Sequence, residues 1–212
     1  MNKPKRQRED FYLENFRILA NVMFALCMFA SVLKIDFASE GMNEPQLFQL
    51  LSDNLNSILN FSVAFIFLAM FWVKFVGRLH HMARCDNGLL ALWLLYLAAL
   101  CLYPFAENLL GNYPGSSAAQ ITFSALWAII GLISLANWSY AYKKKLIDPD
   151  LPKQTARRLL YECYPEPVFA LLSIPFALYS SWGYYIVLLL TIPANIWISK
   201  RFPEEAPDQM AD

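Results

Sequence analysis

The densest group of side chains able to do chemistry is His80-His81-Met82, with Cys85 and Asp86 close behind. Imidazole, thiol and carboxylate are common metal ligands. Neighbouring residues on a helix point to different faces, however, so two consecutive imidazoles do not converge on one ion. The group reads as a basic helix end, and no metal is expected. Nor does the chain hold a Gly-rich phosphate loop, a Cys-x-x-Cys pair or a Gly-x-Ser-x-Gly nucleophile elbow. No enzymatic activity, cofactor or nucleic-acid partner is expected.

The other candidates are polar residues stranded inside long apolar stretches: Asn21, then Ser134, Asn137 and Asn195. An amide surrounded by hydrocarbon must find a hydrogen-bond partner or water, so each is expected to tie its helix to another. Asn21 is the foremost. Helical spacing places it near Arg17, Phe24, Ala25 and Met28, whereas Leu26, Ala30 and Leu33 fall on a separate stripe at steps of four and three. One face could pack while the other lines a cavity. From periodicity alone, ordinary packing of the leucine stripe fits as well.

The elements that position these residues are long apolar helices. A soluble domain of 212 residues that is 58% hydrophobic and only 16% charged could not cover its surface. Burial in a membrane removes that difficulty. A helix rises about 1.5 Å per residue, so roughly 20 apolar residues cross a hydrocarbon core of about 30 Å. The chain divides accordingly into a single all-α domain over 1–212 with six transmembrane helices, at about 16–35, 54–76, 88–108, 118–142, 166–180 and 182–200. The breaker Gly111-Asn112-Tyr113-Pro114-Gly115 separates the third from the fourth, and Ser180-Ser181-Trp182-Gly183 the fifth from the sixth. Pro175 and Pro193 are expected to kink the last two. Residues 143–165 form a cytoplasmic connection.

Orientation follows from the cations, because Lys and Arg accumulate on the cytoplasmic side of membrane proteins. Lys3, Lys5, Arg6, Arg8 and Arg17 precede the first span, and Lys74, Arg78 and Arg84 follow the second. Lys143, Lys144, Lys145, Lys153, Arg157 and Arg158 follow the fourth, and Lys200 and Arg201 the sixth. Lys34 alone falls on the opposite side, with Asp36, Glu40, Glu44, Asp53 and Glu107. Both termini are therefore expected in the cytoplasm, with an acidic outer mouth. Glu9, Asp10 and Glu14 interrupt the basic amino-terminal segment and no small-residue cleavage site follows, so the first span is expected to be retained. Cys27 and Cys101 fall within spans and Cys85 and Cys163 in cytoplasmic connections, where no disulfide is expected.

A set of short matches recurs in order: Phe24-Ala25 in the first span, Trp72 near the end of the second, and Asp86 followed by Leu89-Leu90. Further along come Pro104-Phe105, Leu110-Gly111 and Tyr113, then Trp138-Ser139-Tyr140-Ala141, and finally Ile174-Pro175 and Ile192-Pro193. In order and spacing they resemble a bacterial member of the transmembrane-protein-175 family of potassium channels, from about Asn15 to Arg201.

The resemblance implies a homotetramer of six-helix subunits in the bacterial inner (plasma) membrane, in contact with potassium ions and membrane lipids, with the first helix of each subunit lining a central pore. It places the narrowest ring at Leu26 and further pore-lining rings at Ala30 and Leu33. Four leucines around an axis make a hydrophobic constriction, which gates by dewetting and forces a cation to shed part of its hydration. The family's Phe-Ser-Asp signature aligns here with Leu19-Ala20-Asn21, its preceding Arg with Asn15, its His pair with Phe75-Val76 and a helix-three Asn with Trp93. Loss of these polar members together fits removal of a whole hydrogen-bond network. The function implied is a potassium-permeable cation channel subunit. A non-conducting scaffold or interaction subunit of the same fold is the alternative, and a small-molecule transporter is a further one.

Overall fold

Backbone amides in hydrocarbon have no water to bond to, so each apolar stretch pairs them within its own segment as a helix. The computed structural model describes residues 3–33, 35 and 41–202, with side-chain surroundings from residue 11 onward and residue 56 excepted. Lys34, Asp36 and Glu40, counted above toward the outer charge, lie outside the described residues. The helices are α1 (Lys3–Val32), α2 (Glu44–His80), α3 (Asn87–Cys101), α4 (Tyr103–Asn112), α5 (Ser117–Lys143), α6 (Lys153–Tyr161), α7 (Pro165–Tyr179), α8 (Ser181–Leu189) and α9 (Thr191–Arg201).

Among the described residues, five stretches are long and apolar enough to cross a membrane: Phe11–Val32, Glu44–His80, Asn87–Asn112, Ser117–Lys143 and Ser181–Arg201. The 15-residue α7 falls short of that length. It runs antiparallel along the first half of α5, where Ser124 and Ser173 place their hydroxyl oxygens 2.7 Å apart and Ser117 Oγ donates to the Ala177 carbonyl at 2.7 Å.

Several boundaries differ from the sequence expectation, each for a local reason. α2 starts at Glu44 rather than near residue 54, because Asn43 and Gln46 form a reciprocal capping box that satisfies its first amides. α1 reaches back to Lys3 rather than to residue 16. The third expected span is two helices broken at Leu102, where Pro104 has no amide to continue the ladder. Instead of a kink at Pro193, the chain breaks at Leu190, so that the proline ring sits in the first turn of α9; Thr191 Oγ1 takes up the Leu188 carbonyl at 2.8 Å. The connection 143–165 contains a helix of its own, α6.

The short motifs in the sequence do structural work at the helix ends. Asp86 caps α3 by accepting from Leu89 N at 2.8 Å and also accepts from Tyr140 Oη of α5 at 3.0 Å. Trp138 Nε1 donates to the Ala156 carbonyl at 3.1 Å, which fixes α6 against α5. Between them the α2 end is held by an isolated bridge from Met82 to Ile147. The core runs through Leu68, Leu100, Trp127, Ile130 and Tyr184, all fully enclosed.

Candidate functional site

α1 has two faces of opposite character. Phe16, Ala20, Phe24, Cys27 and Ser31 are buried against the other helices at steps of four and three. On the opposite side Ile18, Leu19, Val22, Leu26, Phe29 and Leu33 form an exposed apolar stripe along roughly 22 Å of helix. Leu26 is 54% and Leu33 60% exposed, while Ala30 turns partly toward the subunit and is half-buried. Val22 and Phe29 thus share the face of Leu26 and Leu33 more fully than Ala30 does. Their spacing of four, three and four from Val22 to Leu33 was the available signal.

Asn21 lies at the edge between these faces. Its Oδ1 accepts a hydrogen bond from Trp72 Nε1 of α2 at 3.0 Å. One turn toward the helix start, an Arg17 guanidinium nitrogen donates to the Leu79 carbonyl at 3.2 Å. Interhelical hydrogen bonds of this kind contribute about 0.6 kcal/mol in membranes. Trp72→Phe is therefore expected to lower unfolding stability in detergent by about that much, and Asn21→Leu added to it should cost nothing more; an additive double variant would show that the bond is absent.

Two of the positions that the sequence resemblance aligns with polar residues, Phe75 and Trp93, lie in one aromatic cluster. Phe75 stacks on Tyr96 with ring centroids 5.1 Å apart, and Trp93 stacks on Phe16 at 4.8 Å. Phe24 and Phe16 also approach Phe75, at 5.9 and 6.0 Å. Stacking satisfies the ring faces and packs α1, α2 and α3 together, whereas the buried Tyr96 hydroxyl has no hydrogen-bond partner among the described residues.

A second polar site went unread in the sequence because its members are far apart in the chain. Lys74 of α2 forms a salt bridge with Glu166 of α7 and donates to Asn195 Oδ1 of α9 at 2.7 Å and to the Glu162 carbonyl at 3.0 Å. Asn195 in turn donates to Glu166 Oε1 at 3.2 Å. Lys74 lies six residues before the end of α2 and Glu166 faces Gly131 halfway along α5, so the pair sits inside the helix stack. Beside it Arg78 is buried and donates to Cys163 Sγ at 3.1 Å. Lone charges beside apolar runs, such as Lys74 and Glu166, read as span boundaries; only their meeting makes them an ion pair.

The remaining sequence candidates behave differently. Ser134 and Asn137 line a small void with Arg78 and Tyr96, and Asn137 Oδ1 has no partner among the described residues. His80 and His81 have ring centroids 5.4 Å apart, and no group of three metal-ligand side chains converges among the described residues. All four cysteines are free thiols.

Long apolar helices, a polar cluster inside their stack and an unpartnered apolar face on the first helix define a multi-pass membrane protein. Residues 16–104 match the profile of the family described as endosomal/lysosomal potassium channel TMEM175. The matched stretch runs from α1 to the start of α4, less than half of the chain. Its fold is similar to the crystal structure of a lysosomal potassium-selective channel TMEM175 homolog from Chamaesiphon minutus, with a TM-score of 0.70 and 19% identity over 91% of this chain and 98% of that one. It is also similar to a variant of the potassium channel MtTMEM175 bound to a nanobody-MBP fusion protein, with a TM-score of 0.65 and 15% identity over 88% of this chain and 91% of the other. No curated protein sequence matches the chain.

Proposed function

We propose that this chain is the pore-forming subunit of a potassium-permeable cation channel, in which four copies surround an axis lined by α1. Six membrane crossings, with α7 counted as the fifth, put both termini in the cytoplasm of a bacterial cell whose inner membrane holds the protein. The observation that carries this reading is the continuous apolar stripe of α1, exposed on a helix whose other face is fully packed. The match of residues 16–104 to a potassium-channel family supports it. In the assembly Leu26 forms the constriction and Leu33 a second ring, with Ala30 at the margin. A ring of leucines offers no oxygen to replace lost water, which favours potassium over the more strongly hydrated sodium.

The test is potassium flux from liposomes holding purified protein, with Leu26→Asn and Leu26→Ala alongside. Opening the ring is expected to raise flux or relax selectivity in both variants; a barrier lowered by only about 1.4 kcal/mol is tenfold in rate. Flux that is present and equal in all three proteins would place Leu26 away from the permeation path. One observation favours a second reading, a non-conducting interaction subunit of the same fold: Phe75 and Trp93, at positions where the family is polar, are locked into the aromatic cluster. Silence of the wild type together with silence of both variants would support that reading.

A further inference from the structure

A cleft of about 900 Å³ opens between α2, α6 and α9, at the upper end of the volumes that hold small ligands. Its two halves differ in chemistry. The wall from Phe65 to Val73 is apolar, with Ile66, Ala69 and Met70 between them, and Ile192 and Ile196 face it from α9. These nine residues of α2 cover about 13 Å, close to the depth of the acyl region of one leaflet, which is half of about 30 Å. Toward the cytoplasmic end the lining becomes polar, with Lys74, Asn195, Arg158 and Lys200.

The polar residues are themselves graded. Lys74 and Asn195 are saturated by one another, by Glu166 and by backbone carbonyls, so they form a neutralised belt rather than a binding group. Arg158 is paired with Glu162 at 2.8 Å. Lys200 has no carboxylate partner among the described residues. It lies five residues beyond Asn195, about 7.5 Å further toward the end of α9, with Arg201 next to it and the Lys153 and Arg157 cations on the adjoining α6. An apolar slot about one leaflet deep, followed toward the helix ends by a belt of neutralised charge and then by a cation without a carboxylate partner among the described residues, matches an anionic phospholipid in shape and charge.

We propose that this cleft binds an anionic phospholipid of the cytoplasmic leaflet, with its phosphate at Lys200 beside Arg158 and an acyl chain between α2 and α9. The proposal requires the membrane placement of the family and is independent of whether the pore conducts. A short basic helix, α6, and the last helix, α9, are held in register by the bound lipid, which makes the site a point where membrane composition acts on the α6–α9 end of the bundle.

Purified protein in detergent micelles, titrated with phosphatidylglycerol and separately with phosphatidylcholine of the same chains and read by native mass spectrometry, tests the site. Phosphatidylglycerol is expected to bind more tightly, and Lys200→Gln to weaken it about fivefold, the effect of one cation near the membrane surface, while leaving phosphatidylcholine unchanged. Ile196→Trp, which fills the apolar slot, is expected to weaken both lipids. Equal affinity for the two lipids, or Lys200→Gln without effect, overturns the proposal. So does inorganic phosphate that displaces phosphatidylglycerol at equal concentration, since the site would then hold a free anion. A disulfide between copies through Ile196→Cys would make the cleft a subunit contact and overturn it as well.

Discussion

Glu166→Gln is expected to destabilise the detergent-solubilised protein by about 3 kcal/mol, read from chemical or thermal unfolding. Removing one member of a buried ion pair costs about 3–5 kcal/mol because the surviving charge is left without compensation. The lower end applies here, since Lys74 keeps Asn195 Oδ1 and the Glu162 carbonyl as acceptors. The side chains of Lys74 and Glu166 are 15% and 5% exposed, too little for solvent to screen the loss. Lys74→Met combined with Glu166→Leu is expected to recover most of the stability, because two apolar groups of similar size remove both desolvation costs together. A single substitution that costs less than about 1 kcal/mol would show that the pair is solvated like a surface bridge. The pair is therefore a device for holding α2, α7 and α9 in one arrangement, and the double variant tests whether that arrangement survives without it.

The second large effect is expected at Gly131, where the start of α7 lies against α5. A Cβ there would stand 2.9 Å from the Pro167 backbone nitrogen and 2.5 Å from its ring, neither of which can rotate away. Gly131→Ala is expected to cost about 1–3 kcal/mol net, the usual range for overpacking, even though Ala is the better helix former by about 1 kcal/mol. Gly131→Leu should prevent α7 from docking on α5. Gly77 provides the contrast, since nothing lies within 4 Å of the same added atom. Gly77→Ala is expected to be neutral or stabilising by up to about 1 kcal/mol. If Gly131→Ala behaved like Gly77→Ala in the same unfolding assay, the α5–α7 contact described here would be wrong.

These two sites bear differently on function. The ion pair and the small-residue contact both fix the 15-residue α7 against α2 and α5. The far side of α1 packs on nothing among the described residues of the subunit, and the exposed stripe from Ile18 to Leu33 is left for a partner, a pore or lipid. Substitutions at Leu26 are thus expected to alter flux with little effect on the stability of one subunit, whereas those at Glu166 and Gly131 should do the reverse. Measuring both properties on the same variants separates the permeation path from its scaffold.

Class, helix content and the candidate face of α1 were legible in the order of residues, because each depends on nearest neighbours along the chain. An uncharged run must become a helix wherever water is absent, and a spacing of three and four places Leu26 and Leu33 on one side whatever surrounds them. Capping is equally local, since Asp86, Ser116 and Ser180 each start a helix from their own side chains, yet it shows only in the structure: in the sequence Asp86 reads with the histidines and Ser180 with a turn. Tertiary structure alone decided which charges meet. Lys74, Glu166 and Asn195 are separated by 92 and 29 residues, and nothing in their flanking segments distinguishes a paired ion from an interfacial anchor. It also decided that Phe75 stacks on Tyr96 and Trp93 on Phe16, since a ring's partner is chosen by how helices cross and not by its own type.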